Sequence, residues 1–250
     1  MRTYGLLGYP LGHSFSRRFF TDKFALENKT EQYLNFEVSP IDSFPDIVYG
    51  NPELAGLNVT IPYKTLIIPF LDELDETARL VGAVNTIRIE RRKHGKVYLK
   101  GYNTDVFGFE QSLLPILKPH YRKALVLGTG GASKSVLFVL EKLGIETKLV
   151  SRNAIQGVTL SYSQLSRDII EDYIAIVNTT PLGTVPNTDT FPDIPYQYLS
   201  EKNLLYDLVY NPPLTLFLQK GRQMGAAVKN GYQMLELQAL KSYEIWNPES

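Results

Sequence analysis

Apolar residues along this chain fall in two rhythms. Short continuous runs such as Ala124-Leu125-Val126-Leu127 and Ala175-Ile176-Val177 have the length and β-branched content of buried strands. Between them lie amphipathic stretches at helical spacing, as in residues 16–28, where Phe19, Phe20, Phe24 and Ala25 share a face. The alternation predicts an α/β architecture. Strands are expected at 4–8, 33–38, 56–59, 123–127, 147–150, 158–162, 175–178 and 204–207. A hairpin is expected from 86–89 and 96–99 around His94-Gly95. Helices are expected at 16–28, 64–71 (interrupted at Pro69), 75–81, 105–114, from the glycine loop to 143, at 215–224 and at 231–246.

Composition narrows the classes. A chain of 250 residues can bury a substantial core and form one or two domains. Its 44% hydrophobic and 21% charged content with zero net charge gives no signature of nucleic-acid or membrane-surface binding. No apolar run reaches the ~18 residues of a membrane span. The Gly-broken start, Tyr4-Gly5-Leu6-Leu7-Gly8, does not resemble a signal sequence. Zero cysteines exclude disulfides, thiolate metal sites and a cysteine nucleophile. His13, His94 and His120 lack metal-ligand spacing, so no metal is expected. The expectation is a cytoplasmic protein acting on a small molecule.

Chemistry is concentrated in a few loops. Gly128-Thr129-Gly130-Gly131-Ala132 follows a strand and opens a helix, the context for a dinucleotide pyrophosphate, although Ser133 occupies the sixth position of G-x-G-x-x-G/A. The next strand ends at Ser151-Arg152-Asn153. An acidic residue there would take a ribose 2′-hydroxyl, whereas Arg152 suits a 2′-phosphate and hence NADP. Lys64 and Asp105 precede this loop, and a lysine and a carboxylate near a dinucleotide suggest proton transfer coupled to hydride transfer. Taken singly, Ser14 and Ser16 are an ordinary helix entrance, Asn58, Thr60 and Asn85 ordinary polar loop residues, and Asp105 a helix cap.

The joint occurrence of motifs is more specific. Ser14-x-Ser16, Asn58-x-Thr60-x-Pro62-x-Lys64, Gly82-Ala83-Val84-Asn85-Thr86, Gly101-x-Asn103-Thr104-Asp105 and Gly128-x-Gly130-Gly131-Ala132 occur in that order. Asn178-Thr179-Thr180-Pro181-Leu182-Gly183, Tyr206-Asp207-Leu208-Val209-Tyr210-Asn211-Pro212 and Gly231-Tyr232-Gln233-Met234-Leu235-Glu236-Leu237-Gln238-Ala239 extend the series. Over nearly its whole length the chain resembles the shikimate dehydrogenase family.

The resemblance implies a substrate-binding domain at 1–104, completed by the C-terminal helix 231–250, and a Rossmann-like NADP domain at 105–230, with the active site in the cleft between. It implies reversible reduction of 3-dehydroshikimate to shikimate with NADP, in chorismate and aromatic amino-acid biosynthesis, by a monomer or homodimer. Ser14, Ser16 and Tyr210 would hold the substrate carboxylate. Thr60, Lys64, Asn85, Asp105 and Gln238 would bind the ring hydroxyls, with Lys64 and Asp105 catalytic. Gly128, Thr129, Gly130, Gly131, Ala132, Ser151, Arg152, Asn178, Thr179, Leu208 and Gly231 would line the cofactor site. Two relatives of different activity stand as alternatives: an NAD-using quinate/shikimate dehydrogenase, which Ser16 and Arg152 disfavour, and a non-catalytic ligand-binding protein, which Lys64 and Asp105 disfavour. Two departures stand out. Arg17 replaces a proline of many relatives, and the helix that the family has after Arg152 is expected to be missing, with no second basic residue from Asn153 to Ser166.

Overall fold

The computed structural model describes residues 1–11, 15–153, 155–157 and 159–248. The chain divides into two compact units, Met1–Thr104 with Ala239–Ser250, and Asp105–Gln238. The first unit runs β1 (Thr3–Gly8), α1 (Phe15–Leu26), β2 (Gln32–Glu37), α2 (Phe44–Gly50), β3 (Leu54–Val59), β4 (Glu73–Leu74), α3 (Glu76–Val81), β5 (Thr86–Arg91) and β6 (Val97–Tyr102). Its strands form one sheet in the order β2-β1-β3-β5-β6-β4. β1 pairs in parallel with β2 and β3, whereas β5 is antiparallel to both β3 and β6.

Two apolar clusters support this sheet. Leu7, Leu57, Ile67 and Ile87 belong to one. The other is aromatic: Tyr4, Phe20, Phe24, Tyr33 and Trp246. Tyr4 stacks on Trp246 at 4.8 Å between ring centroids, and Phe20 on Tyr33 at 4.7 Å. The helical spacing of Phe20 and Phe24 puts both on the buried face of α1. The Trp246 indole N–H donates to the Ile87 carbonyl at 3.0 Å.

The second unit continues with α4 (Thr104–Leu113), β7 (Lys123–Leu127), α5 (Gly131–Lys142), β8 (Glu146–Val150), β9 (Thr159–Leu160), α6 (Arg167–Asp172), β10 (Ala175–Asn178), β11 (Leu204–Asp207), α7 (Leu216–Gln223), β12 (Ala227–Lys229) and α8 (Tyr232–Trp246), whose last residues group with the first unit. Its sheet is wholly parallel, in the order β12-β11-β10-β7-β8-β9. Numbered along the chain, that is the 3-2-1-4-5-6 order of the dinucleotide-binding fold, with its switch point between β7 and β10. Strands buried on both faces need continuous apolar runs. The runs 124–127 and 175–178 supply them, and all eight residues are buried.

The structure revises several local expectations. Residues 64–71 are successive turns ending in a short 3₁₀ helix, Ile68–Phe70, not an α-helix. Pro69 brings no N–H, and β-branched Thr65, Ile67 and Ile68 favour other backbone shapes. α2, β4, α6 and β12 are additions to the expected elements; each is eight residues or fewer, too short for a periodic signal. The 158–162 strand shrinks to Thr159–Leu160, followed by a 3₁₀ turn at Tyr162–Gln164. Among the described residues, no helix lies between β8 and β9, yet the two pair in parallel. Thr159 N–H to Ile155 O at 2.9 Å, Ile155 N–H to Thr159 Oγ1 at 2.7 Å and Ser151 N–H to Leu160 O at 2.8 Å close this short link.

Gly56 on β3 has no room for a side chain, because a Cβ would run into the Trp246 indole. Gly56→Ala should displace the indole from the Ile87 carbonyl and lower stability by about 1–3 kcal/mol, the usual penalty for overpacking. Urea unfolding followed by the fluorescence of Trp246 measures it.

Candidate functional site

In the first unit Thr60, Lys64 and Asn85 lie where β3 ends and β5 begins. Backbone bonds fasten the turn that carries Lys64: Tyr63 N–H to Thr60 O at 2.8 Å, Val84 N–H to Lys64 O at 2.7 Å and Val59 N–H to Asn85 O at 2.8 Å. Thr60 and Lys64 are half-buried. Asn85 is buried and reaches the start of α4: its Oδ1 accepts from Thr104 N–H at 2.7 Å, and its Nδ2 donates to Thr104 Oγ1 at 3.0 Å. Asp105, the next residue, is buried in the first turn of α4, where the helix dipole favours a carboxylate.

Ser16 lies in the first turn of α1 and is buried against the Tyr33 phenol, with which it shares a hydrogen bond. Burial pushes the Tyr33 phenol above the usual tyrosine range, so it stays protonated and donates to Asn58 Oδ1 at 2.8 Å. Ser14 lies outside the described residues.

In the second unit, α4 packs closely on α8 at Gly108. A Cβ there would lie 2.5 Å from the Met234 carbonyl oxygen and 3.0 Å from Gln238 Cβ. This approach sets the helix of Asp105 against that of Gln238. Gln238 is buried and donates from Nε2 to Leu235 O at 2.9 Å. Tyr210 follows β11, half-buried, and burial raises its phenol above the ordinary tyrosine value.

The predicted cofactor residues collect at the switch point. Gly128 ends β7 at φ +106°, a conformation that requires glycine, and a Cβ would lie 2.8 Å from Thr179 Oγ1. Gly130 is the N-cap of α5 and supplies no side-chain cap, so the helix meets any anion with backbone N–H groups. Ser133 turns its hydroxyl back onto Gly130 O at 2.6 Å, which suits the tight turn. Thr179 closes the crevice by donating from N and Oγ1 to Leu127 O at 2.9 and 2.7 Å. Gly231 passes so near the Leu208 carbonyl that a side chain would collide with it. Arg152 is exposed just beyond Ser151, with the Tyr162 phenol within its field. These residues fit a dinucleotide: a turn at Gly128 that admits only glycine, an open helix start at Gly130 and a guanidinium at the end of the second strand.

Asn178 is different. Its side chain is wholly buried, with Nδ2 donating to Asp207 Oδ1 at 2.9 Å and Oδ1 accepting from Thr180 N–H and Oγ1 at 3.0 and 2.6 Å. It braces the loop and contacts no surface. Asp207 is the hub of that brace, also accepting from Thr215 Oγ1 at 2.6 Å and Val209 N–H at 3.0 Å. Burial outweighs these bonds and raises its carboxyl to about 6. Asp207 and Thr215 carry no role in the sequence reading, and neither does a polar cluster in the first unit: Tyr33, Asn58, Thr86, Thr104 and Ser242. The available signal was the pairing of two Asn-Thr dipeptides, 85–86 and 103–104. Among the described residues no group of acidic and histidine side chains could hold a metal ion, and no helix is long and apolar enough to cross a membrane.

An unfolded aspartate titrates near 3.9. The folded value is higher, so the native state holds the proton more tightly. The stabilisation is full below that pH and is lost as pH rises through about 6. Between pH 4 and pH 6.5 the wild type should lose about 2 kcal/mol relative to Asp207→Asn, which has no proton to release. Urea midpoints of both proteins across that range measure the difference.

A family model described as the shikimate dehydrogenase substrate binding domain matches residues 6–87. The chain is 35% identical to the shikimate dehydrogenase (NADP(+)) of Desulforamulus reducens, over 97% of this chain and 88% of that one. It is 37% identical to the enzyme of the same name from Methanococcus maripaludis strain C6, over 97% and 90%. The crystal structure of shikimate 5-dehydrogenase from Thermus thermophilus in complex with NADP(H) and shikimate superposes with a TM-score of 0.84 at 27% identity, covering 100% of this chain and 94% of that one. With identity above one third across almost the full length, and with the glycine cradle, the Lys64 turn and the Asn85 cap in place, the chain belongs to the shikimate dehydrogenase family.

Proposed function

We propose that this chain is an NADP-dependent shikimate dehydrogenase that interconverts 3-dehydroshikimate and shikimate. One observation carries the reading: backbone bonds fasten the Lys64 turn to the segment of Asn85, and the Asn85 side chain in turn holds the first residue of the helix that bears Asp105. A general acid and a carboxylate are thereby supported by a single hydrogen-bonded assembly. The absence of cysteine accords with work in a reducing cytoplasm.

NADPH, when bound, supplies a hydride to the substrate C3 carbonyl, and in the reverse direction NADP⁺ accepts it. Lys64 holds a proton at the C3 oxygen, where its charge stabilises the developing alkoxide before the proton is given up. Asp105 accepts from a ring hydroxyl and keeps the lysine oriented. Thr60, Asn85 and Gln238 complete the polar ring around the hydroxyls. The hydroxyls of Ser14, Ser16 and Tyr210 donate to the substrate carboxylate, a role suited to neutral donors that need no proton exchange. Gly128, Thr129, Gly130, Gly131 and Ala132 hold the pyrophosphate at the start of α5, and Arg152 pairs with the 2′-phosphate. Ser151, Thr179, Leu208 and Gly231 line the same crevice, braced by Asn178.

The first test supplies shikimate or quinate with NADP or NAD and follows reduced-nicotinamide absorbance. Shikimate with NADP should be fastest, and no turnover of that pair would overturn the proposal. Lys64→Ala should lower kcat by about 10²–10⁴-fold, with a much smaller change in shikimate KM, because the interaction it removes belongs mainly to the transition state. Near-normal turnover would remove Lys64 from the chemistry. For Arg152, one charge-assisted contact of about 1.5–3 kcal/mol corresponds to a preference for NADP of roughly 10- to 150-fold. Arg152→Ala should erase most of it and leave NAD kinetics unchanged, as read from kcat/KM with each cofactor.

A further inference from the structure

The buried polar cluster beneath the Lys64 turn is built around Thr86, the first residue of β5. Thr86 is fully buried, and Asn58, Thr104 and Ser242 around it are buried too. Its Oγ1 lies 2.8 Å from Ser242 Oγ, 3.1 Å from Thr104 Oγ1, 3.3 Å from Asn58 Nδ2 and 3.3 Å from Asn85 Oδ1. Ser242 Oγ also accepts from Asn58 Nδ2 at 2.9 Å. β1, β3 and β5, with the last helix, wall this cluster off from water.

Donor arithmetic gives the cluster a direction. Asn58 Oδ1 is taken by the Tyr33 hydroxyl, so Asn58 presents its NH₂ to the hydroxyls. Asn85 must present its oxygen to the Thr104 N–H, which can only donate. The hydroxyls between these fixed amides have one proton each. Asn58 Nδ2 donates to Ser242 and Thr86, the hydroxyls of Ser242, Thr86 and Thr104 lie 2.8–3.2 Å from one another, and Asn85 Oδ1 is the acceptor on the far side. Two hydroxyls reach Asn85 Oδ1, Thr86 at 3.3 Å and Thr104 at 3.2 Å, and of the two only Thr86 also accepts from Asn58 Nδ2.

Asn85 Oδ1 has a definite task at its other side. The first N–H groups of a helix have no intrahelical acceptor. For α4 the Thr104 N–H finds its acceptor in Asn85, and Asp105 is the following residue. A rotated Asn85 amide would turn its donor Nδ2 toward that N–H in place of the acceptor Oδ1 and loosen the first turn of α4. We propose that Thr86 is a positioning residue for the dehydrogenase reaction, fixing the Asn85 amide that caps α4 and thereby the carboxylate of Asp105. It touches neither substrate nor cofactor, and its catalytic consequence rests on the function proposed above.

Thr86→Val keeps the β-branched shape and deletes only the hydroxyl, whereas Thr86→Ser keeps the hydroxyl. At a temperature well below unfolding, Thr86→Val should lower kcat about 10-fold, as expected for a small misplacement of a catalytic group. The dissociation constant of NADP should be unchanged, and Thr86→Ser should restore turnover. Amide hydrogen exchange supplies a readout independent of activity. The Thr104 N–H should exchange faster in Thr86→Val, relative to the interior of α4, and return towards wild type in Thr86→Ser. Should Thr86→Val fail to fold, Ser242→Ala removes the hydroxyl nearest Thr86 Oγ1, at 2.8 Å, and is expected to move both readouts in the same direction. A purely structural threonine would lower the melting temperature and leave kcat and the Thr104 exchange within about twofold of wild type, which overturns the proposal. Wild-type protein inactive on shikimate would sink the functional reading alone, because Thr104 exchange would still report the coupling of Thr86 to α4.

Discussion

The bond from Thr104 N–H to Asn85 Oδ1 is the interaction on which the substrate-side arrangement depends. It satisfies a donor at a helix start, which has no intrahelical acceptor, with the side chain of the residue just before β5. Every nearby polar group is then constrained. The backbone of Asn85 accepts from Val59, the neighbouring Val84 donates to the carbonyl of Lys64, and Asn103 Nδ2 donates to Ala83 O at 2.9 Å. Two Asn-Thr dipeptides at the open end of the β5–β6 hairpin thus hold each other and fasten the turn that presents Lys64. Buried amides and hydroxyls cost free energy unless paired, so a cluster of this kind is stable only in one arrangement of its donors. That selectivity suits the proposed role of Lys64 and Asp105, whose chemistry would require placement to within fractions of an ångström.

The second unit solves a different problem at its switch point. The glycine cradle requires an open crevice between β7 and β10, yet open backbone is poorly supported. Thr179 closes the base of the crevice onto Leu127, and Asn178 is tied through Asp207 to Thr215 at the start of α7. The hub is a wholly buried carboxylate, and desolvation wins over the hydrogen bonds, as its raised titration shows. Stability is given up at neutral pH for a rigid loop. The Asn178 side chain thus braces the loop after β10, the wall of the proposed cofactor crevice.

Much of this was legible in the sequence, for identifiable reasons. β10 and β11 are wholly buried parallel strands and β7 is buried after Lys123, so their apolar runs match the observed elements closely. The glycine loop was legible because strand, turn and helix N-terminus must follow in fixed order. The Lys64 turn reads as a helix because its apolar spacing fits one, while Pro69 and the β-branched residues decide otherwise. The cluster around Thr86 was invisible because its members stand up to 184 residues apart, from Asn58 on β3 to Ser242 on α8. Serine and threonine carry no periodic signal, and nothing local tells a buried hydroxyl from a solvated one. Pairwise motifs found the residues expected to touch substrate; long-range hydrogen bonding supplies those that hold them.

The starts of the helices tell functional ends from structural ones. α3 is capped by Asp75 onto Ala78 N–H, α6 by Ser166 onto Ile169 N–H and α7 by Thr215 onto Leu218 N–H. For α4 the acceptor comes from Asn85. α5 is twelve residues long and begins at Gly130 with no side-chain cap. A serine, threonine or aspartate at Gly130 would meet no steric obstacle, since nothing lies within 4 Å of a Cβ built there. A side-chain cap at that position would commonly stabilise a helix by about 1 kcal/mol. The chain forgoes it at the one helix start that faces the switch point, where the same N–H groups can be satisfied by a phosphate.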